Sequence, residues 1–297
     1  MKRIVLSVWI SLCLWAVLPA PWKAAAQSAP PAAEKLYNTV KRKLAAGQSV
    51  VGGTVTSPDP AVYCAMAGAG FDFLWIEMQH SPLSYQDVAR SIRGCPGAAA
   101  VPFIRVPDAT EGDIQKATDI GALGIIVPMV DTPEKAQAAV HWAKFPPQGH
   151  RSQGGGQYAA LYGSRYRQTA NENILMVMMI ETPLGVENAA RIAAVPGVDV
   201  IFLASTDLAS FSGSLQGEKP YEALVARVQE ATARAGLKLG GPLAWKGHRP
   251  AFCFFQGPDE PGLLRLGAKA ALGGAAGAEE GKKGVAPTEG ASGVGPE

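Results

Sequence analysis

From Ser49 onward the chain alternates short apolar, β-branched runs with longer stretches of helical periodicity. The runs are SVVGGTV (49–55), FLWIEM (73–78), VPFIRV (101–106), GIIVPMV (124–130), ILMVMMIET (174–182), VIFLAS (200–205), LKLGG (237–241) and FCFFQG (252–257). They are near-continuous in hydrophobicity, the pattern of strands buried on both faces of a parallel sheet. Helical patterns over 59–69, 84–93, 110–120, 132–143, 184–194 and 220–235 separate most of them. Eight strands in this alternation predict an α/β fold, a closed TIM (β/α)8 barrel, with an open doubly wound sheet as the alternative. A short amphipathic helix over 36–44 precedes the first strand. Two stretches strain the pattern: 145–172 is long, and 242–251 is too short for a crossover helix.

Polar residues close several of the runs. Glu77 and His80 follow FLWI, Arg105 ends VPFIR, Glu181 ends the fifth run and Asp207 follows the sixth. In a parallel barrel the strand C-terminal ends form one rim where chemistry collects. Acids, an arginine and a histidine on one rim suggest a metal-assisted enzyme. Neighbouring strands lie about 4.8 Å apart, so Glu181 and Asp207 are placed to share a cation. Hard divalent ions take few protein carboxylates and complete their shell with water and substrate. The alternative is two solvated acids or helix N-caps, with Asp207 capping the helix that begins at Leu208. Arg105 suits a developing enolate or polarised carbonyl, or else an ion pair tying two loops together. His80 suits a base near neutral pH, or else a turn in His80-Ser81-Pro82. The loop 145–156, which carries Arg151, is expected either to fold over the rim with its backbone N–H groups near a substrate anion or to be plain surface. No P-loop, nucleophile elbow or zinc helix is present. Lys238 lies inside a predicted strand, which gives a Schiff-base lysine little support.

Composition narrows the picture at the two ends of the chain. Residues 1–26 run from Met1-Lys2-Arg3 through an apolar stretch to Ala24-Ala25-Ala26, the order of a signal peptide and its cleavage site. The apolar run is short for a membrane span, so cleavage after Ala26, no stable membrane anchor afterwards and export, most simply to the periplasm, are expected. Residues 27–35 read as a disordered lead-in, 36–272 as the barrel, and 273–297 as a disordered Gly/Ala-rich tail. The net charge of the whole chain is +2, from 27 basic and 25 acidic residues; losing Lys2, Arg3 and Lys23 leaves 24 against 25. Nothing there points to nucleic acid, and aromatics are only 7%. Beyond Cys13 in the leader, Cys64, Cys95 and Cys253 show no CxxC or metal spacing; buried free thiols are expected, with one disulfide as the alternative.

The order and spacing of the blocks FDFLWIEMQHSPLS, VPFIRVP, GALGIIVPMVDTPEKAQAAV, FPPQGHRSQGG, MIETPLGVENAARIAAVPGVDVIFLASTDLA and FFQGPDE, spread over 36–272, resemble the HpcH/HpaI aldolase/citrate lyase family. The likeness is to its 2,4-dihydroxyhept-2-ene-1,7-dioate aldolase and macrophomate synthase type. It implies a barrel of the phosphoenolpyruvate/pyruvate type and a divalent-metal-dependent aldolase that cleaves or forms 4-hydroxy-2-oxo acids through a pyruvate enolate. Pyruvate and an aldehyde are then the small-molecule partners, and Mg²⁺ or Mn²⁺, with Co²⁺ as a third candidate, is the cofactor. By the same likeness Glu181 and Asp207 hold the metal and Arg105 steadies the enolate. His80, oriented by Glu77, moves the proton. Backbone amides at Thr206 and Asp207 take the substrate carboxylate. The chain departs from the family at Met179, where a Gln is usual, at Ala204-Ser205-Thr206 before Asp207, and in carrying a leader. Family members commonly assemble through C-terminal helices, implying a homo-oligomer, hexamer or trimer, against which the Gly-rich tail stands. A CoA-thioester lyase of the citrate-lyase branch and a non-catalytic periplasmic carboxylate-binding protein are the alternative functions.

Overall fold

The computed structural model describes residues 36–283, with side chains as far as Gly273. The expected leader (1–26), the lead-in (27–35) and the end of the tail beyond 283 lie outside the described residues. Eight strands form the sheet: β1 (Val50–Val55), β2 (Phe73–Glu77), β3 (Val101–Arg105), β4 (Gly124–Val127), β5 (Leu175–Ile180), β6 (Val200–Leu203), β7 (Lys238–Pro242) and β8 (Phe252–Asp259). Each pairs in parallel with the next, and β8 pairs with β1, which closes the barrel. The closed barrel is therefore the fold and the open sheet is not.

Side chains alternate across each strand, and here the alternation sorts two cores. Phe73, Trp75, Phe103, Ile126, Val177, Met179, Phe202 and Phe254 point inward and fill the barrel. Leu74, Ile76, Ile104, Ile125, Met176, Met178 and Ile201 point outward, beneath the helices. The inner layer is aromatic: Phe73 stacks on Phe254 at 4.6 Å and lies 4.8 Å from Phe103, and Trp75 lies 5.0 Å from Phe202. Glycine makes room for these rings. Gly52 is the register partner of Phe73, and Gly124 that of Phe103. A Cβ at either glycine would fall 2.2 Å from the neighbouring ring.

The helices are α1 (Thr39–Ala45), α2 (Pro60–Ala67), α3 (Tyr85–Gly94), α4 (Glu111–Asp119), α5 (Pro133–Ala143), α6 (Tyr158–Tyr162), α7 (Tyr166–Asn173), α8 (Pro183–Ala193), α9 (Ser205–Ser212), α10 (Lys219–Arg234) and α11 (Glu260–Lys283). Thr110, Thr132 and Thr182 cap α4, α5 and α8, and Ser84 opens α3 with a capping box. The predicted helix before the first strand is α1. Its Val40 and Leu44 join the inner cluster and plug the N-terminal mouth of the barrel. Asn38 caps α1 and donates through Nδ2 to the carbonyls of Leu123 and Asn173, which ties the plug to the barrel floor.

The long stretch between α5 and β5 holds α6 and α7 and belongs to the floor, not the rim. After α5 the chain has returned to the N-terminal ends of the strands, and Arg151 is spent there. It pairs with Asp119 at 2.8 Å, donates to the Tyr166 hydroxyl at 2.9 Å and lies over the Phe145 ring. The expectation that this loop folds over the rim is thus corrected. The 242–251 stretch carries only a 3₁₀ turn, Leu243–Trp245, in keeping with its length. The expected tail also differs: α11 continues from Gly273 to Lys283. Among the described residues no helix is long and apolar enough to cross a membrane.

Candidate active site

The inward alternation that fills the barrel also builds its rim. Two residues above Trp75 comes Glu77; two above Phe103 comes Arg105; two above Met179 comes Glu181. All three are buried, Glu181 at 1% exposure, Glu77 at 5% and Arg105 at 6%. Glu77 and Arg105 are register partners on β2 and β3 and form an ion pair at 3.1 Å.

Glu77 is fully engaged. Its Oε2 accepts from Arg105 and, at 3.2 Å, from the Trp75 indole N–H. Its Oε1 accepts the backbone N–H groups of Gln79 at 2.8 Å and His80 at 3.0 Å. The sequence reading had Glu77 orienting the His80 ring. The carboxylate holds the His80 backbone instead, and the ring rests against Arg105, with Nε2 3.4 Å from the guanidinium. A guanidinium only donates, so that contact requires a lone pair on Nε2. The ring is exposed to the mouth of the barrel.

Arg105 therefore has one arm committed and one arm in the site. One terminal nitrogen is fixed by Glu77; the other faces His80 and lies 3.8 Å from Glu181 Oε1. Glu181 sits directly past β5. Burial pushes its carboxyl up to about 7, and the nearby Asp207 charge adds to that, while Arg105 and the Met129 N–H pull the other way. Met129, with φ 52°, is the one non-glycine residue with positive φ among those described. Holding a side chain in the left-handed region costs about 1–2 kcal/mol, strain of the kind that collects at functional sites.

Asp207 is the third residue of α9, half-buried, with Thr206 exposed beside it. Asp207 is not an N-cap. That position is Ala204, which makes no side-chain capping bond, so the first-turn N–H groups of α9 are left for other acceptors. The structure thus brings Glu77, His80, Arg105, Glu181 and Asp207 together on one rim.

The residues fit a hard divalent cation. Glu181 Oε1 is buried and has no hydrogen-bond partner, an arrangement that is costly unless something positive faces it. Asp207 supplies a second carboxylate. Among the described residues no group of three or more His, Cys, Asp or Glu is placed to hold a metal; Mg²⁺ and Mn²⁺ need only one or two protein carboxylates, with water and substrate oxygens completing the shell.

Sequence reasoning overlooked three supports. Trp75 anchors Glu77, and period-two counting back from Glu77 would have found it. Lys135 at the start of α5 pairs with Asp108 at 2.6 Å and contributes positive charge towards Glu181. Glu260 braces the loop after β1, accepting from the N–H groups of Thr56 and Ser57 at 2.8 and 3.0 Å and from the Thr56 hydroxyl. The left-handed turn at Met129 had no sequence signal, since methionine is not a residue that favours it.

Comparison with known proteins points to one family. The family model described as HpcH/HpaI aldolase/citrate lyase matches residues 55–240. A 2-dehydro-3,6-dideoxy-6-sulfogluconate aldolase of Pseudomonas putida is 34% identical over 188 residues, 63% of this chain and 73% of that one. A hydroxypyruvate/pyruvate aldolase of Paraburkholderia phytofirmans is 33% identical over 213 residues, 68% of this chain and 82% of that one. A solved structure of an HpcH/HpaI aldolase/citrate lyase family protein from Burkholderia cenocepacia superimposes with a TM-score of 0.73 at 30% identity, covering 80% of this chain and 99% of the other.

Proposed function

The chain belongs to the HpcH/HpaI aldolase/citrate lyase family, and we propose that this aldolase cleaves or forms 4-hydroxy-2-oxo acids at the Glu181–Arg105 rim, with pyruvate as the enolate partner and a divalent cation on Glu181 and Asp207. The observation that carries the proposal is the buried Glu181 oxygen without a hydrogen-bond donor, faced by an arginine that Glu77 holds in place. Relatives named hydroxypyruvate/pyruvate aldolase and 4-hydroxy-2-oxovalerate aldolase support the substrate class.

When bound, the cation supplies Lewis-acid stabilisation of negative charge on the 2-oxo acid. The chain's own groups do the rest. Arg105 donates from its uncommitted nitrogen to the enolate oxygen, where charge builds as the C3–C4 bond breaks. Glu77 keeps that guanidinium from swinging away. His80, at the open mouth, takes the C4 hydroxyl proton, directly or through water, as the aldehyde leaves. A proton returned to C3 then gives pyruvate. The uncapped first-turn amides of Thr206 and Asp207 hold the substrate carboxylate at the positive end of α9. Met179 lies one layer beneath Glu181 inside the barrel and is buried among apolar neighbours. A Gln there would place an amide under the site, so Met179 bears on which substrates fit.

The test is pyruvate release from a panel of 4-hydroxy-2-oxo acids, with chelator and then with Mg²⁺, Mn²⁺ or Co²⁺. Metal-dependent release supports the proposal; release only from a CoA thioester would favour the citrate-lyase branch. Export belongs to the same proposal, supported by the basic, apolar and Ala-x-Ala order of residues 1–26. Amino-terminal sequencing of protein from the periplasm is expected to begin at Gln27, and a cytoplasmic protein beginning at Met1 would rule it out.

A further inference from the structure

We infer that Cys64 and Cys95 are an intramolecular redox pair, closing into a disulfide that staples α2 to α3 by exchange with a small-molecule disulfide. The two residues are far apart in sequence, and no spacing motif joins them. The fold does so. Cys64 lies on α2 with its Sγ 3.6 Å from the carbonyl oxygen of Gly94, the last residue of α3. Cys95 is the next residue and the C-cap of that helix. The helices come close here because Gly94 has no side chain: a Cβ would fall 3.3 Å from Pro60 Cβ. Cys95 lies close enough to Cys64 for its charge to bear on the Cys64 thiol.

Both thiols are half-buried, not buried as the sequence suggested, so a small disulfide can reach them. The third described cysteine, Cys253, is no competitor, since it packs against the inner cluster on the other side of the barrel wall. Burial and the neighbouring thiol push Cys64 up to about 11. Its thiolate is therefore scarce at neutral pH, and closure speeds up as pH rises.

The chemistry balances as ordinary exchange. One thiolate attacks a sulfur of the added disulfide, RSSR, forming a mixed disulfide and releasing RS⁻. The second cysteine sulfur displaces the remaining RS⁻. Two electrons pass to RSSR, and the two thiol protons leave with the two RS⁻ groups as RSH. The new bond lies at the C-terminal end of α3, the end away from the catalytic rim. It closes a loop that contains β2 and the His80 segment, and constrains the unfolded chain without touching the site.

The experiment incubates the reduced full-length protein with oxidised glutathione at pH 8, alkylates what remains free, and maps peptides by mass spectrometry. A Cys64–Cys95 cross-linked pair within one chain is expected, with the loss of two hydrogens and no glutathione retained there. Tm should rise by about 5–10 °C on oxidation, while aldolase turnover at 25 °C stays unchanged. In Cys64→Ser and Cys95→Ser the rise disappears, and the remaining thiol keeps a glutathione adduct. Separate adducts at both positions of the folded wild type, both thiols still free for alkylation, or a link between two chains would each overturn the inference. A thiol count under native conditions keeps the test valid if one serine variant folds poorly.

Discussion

Glu77 and Arg105 are register partners on adjacent parallel strands, and their 3.1 Å ion pair fixes one arm of the guanidinium so that the other faces Glu181. The pair is buried, and both members look inward from the top layer of the barrel. Its role is aim: an arginine free to rotate would lose its position against the enolate oxygen.

Removing the anchor should therefore damage fold and rate together. Glu77→Ala removes the hydrogen-bonded counter-charge of a buried guanidinium and leaves it only Glu181 at 3.8 Å, which costs about 3–5 kcal/mol. Urea unfolding followed by tryptophan fluorescence should show this as a large fall in midpoint. Glu77→Asp keeps the charge and should restore most of the stability; an equal loss in both variants would mean the charge pairing is not what matters.

Arg105→Lys separates charge from geometry. The ammonium keeps a positive group on the rim but cannot hold Glu77 with one nitrogen while offering a second in plane. Turnover should fall by about 10²–10³-fold, with circular dichroism and Tm close to wild type. Unchanged turnover would remove Arg105 from the enolate.

Much of this is legible in the sequence. Eight buried strand runs, and the five polar residues closing four of them, placed the barrel and gathered the rim, because strand alternation and strand-end position are both written in the sequence. What could not be read depended on contacts between distant segments. The loop that carries Arg151 was open to lying over the rim, yet Asp119 and Tyr166 hold Arg151 on the opposite face. Glu77 was expected to aim an imidazole and instead aims a guanidinium, because hydrogen-bond partners follow from side-chain reach and not from sequence distance. The signal for α11 continuing past Gly273 was masked by glycines spaced among good helix formers.

The inner aromatic layer sets a limit on side-chain size. Gly124→Ala would press a methyl into the Phe103 ring, where the present gap to a Cβ is 2.2 Å. Overpacking of this kind costs about 1–3 kcal/mol, measurable as a lowered unfolding midpoint with the metal-dependent rate largely kept. Gly112→Ala, with nothing within 4 Å of a Cβ, is the control and should be neutral or mildly stabilising.

Lys144 gives stability a pH dependence on the barrel floor. It is buried and donates to the carbonyls of Asn171, at 2.7 Å, and Ile174. Burial, with Lys41 nearby, lowers it from 10.5 to about 7. The unfolded chain keeps the proton up to about 10.5, while the folded one releases it near 7, so unfolding takes up a proton between these values. Stability from this residue accordingly rises with pH across that window, by at most about 1.4 kcal/mol per pH unit, and is flat below it. Lys144→Met should remove this rise from the Tm-versus-pH profile. Parallel profiles from pH 7 to 10 would show that Lys144 stays charged in the fold.

The most direct test of the rim needs no aldehyde at all. An enolate-forming site should exchange the methyl protons of pyruvate for deuterium in D₂O, followed by proton NMR. Exchange is expected with Mg²⁺, Mn²⁺ or Co²⁺ in wild type, absent with chelator, and lost in Glu181→Ala at unchanged Tm. Exchange as fast in Glu181→Ala as in wild type, or none with any metal in folded wild type, would contradict the assignment of Glu181 and Arg105 as the centre where the enolate forms.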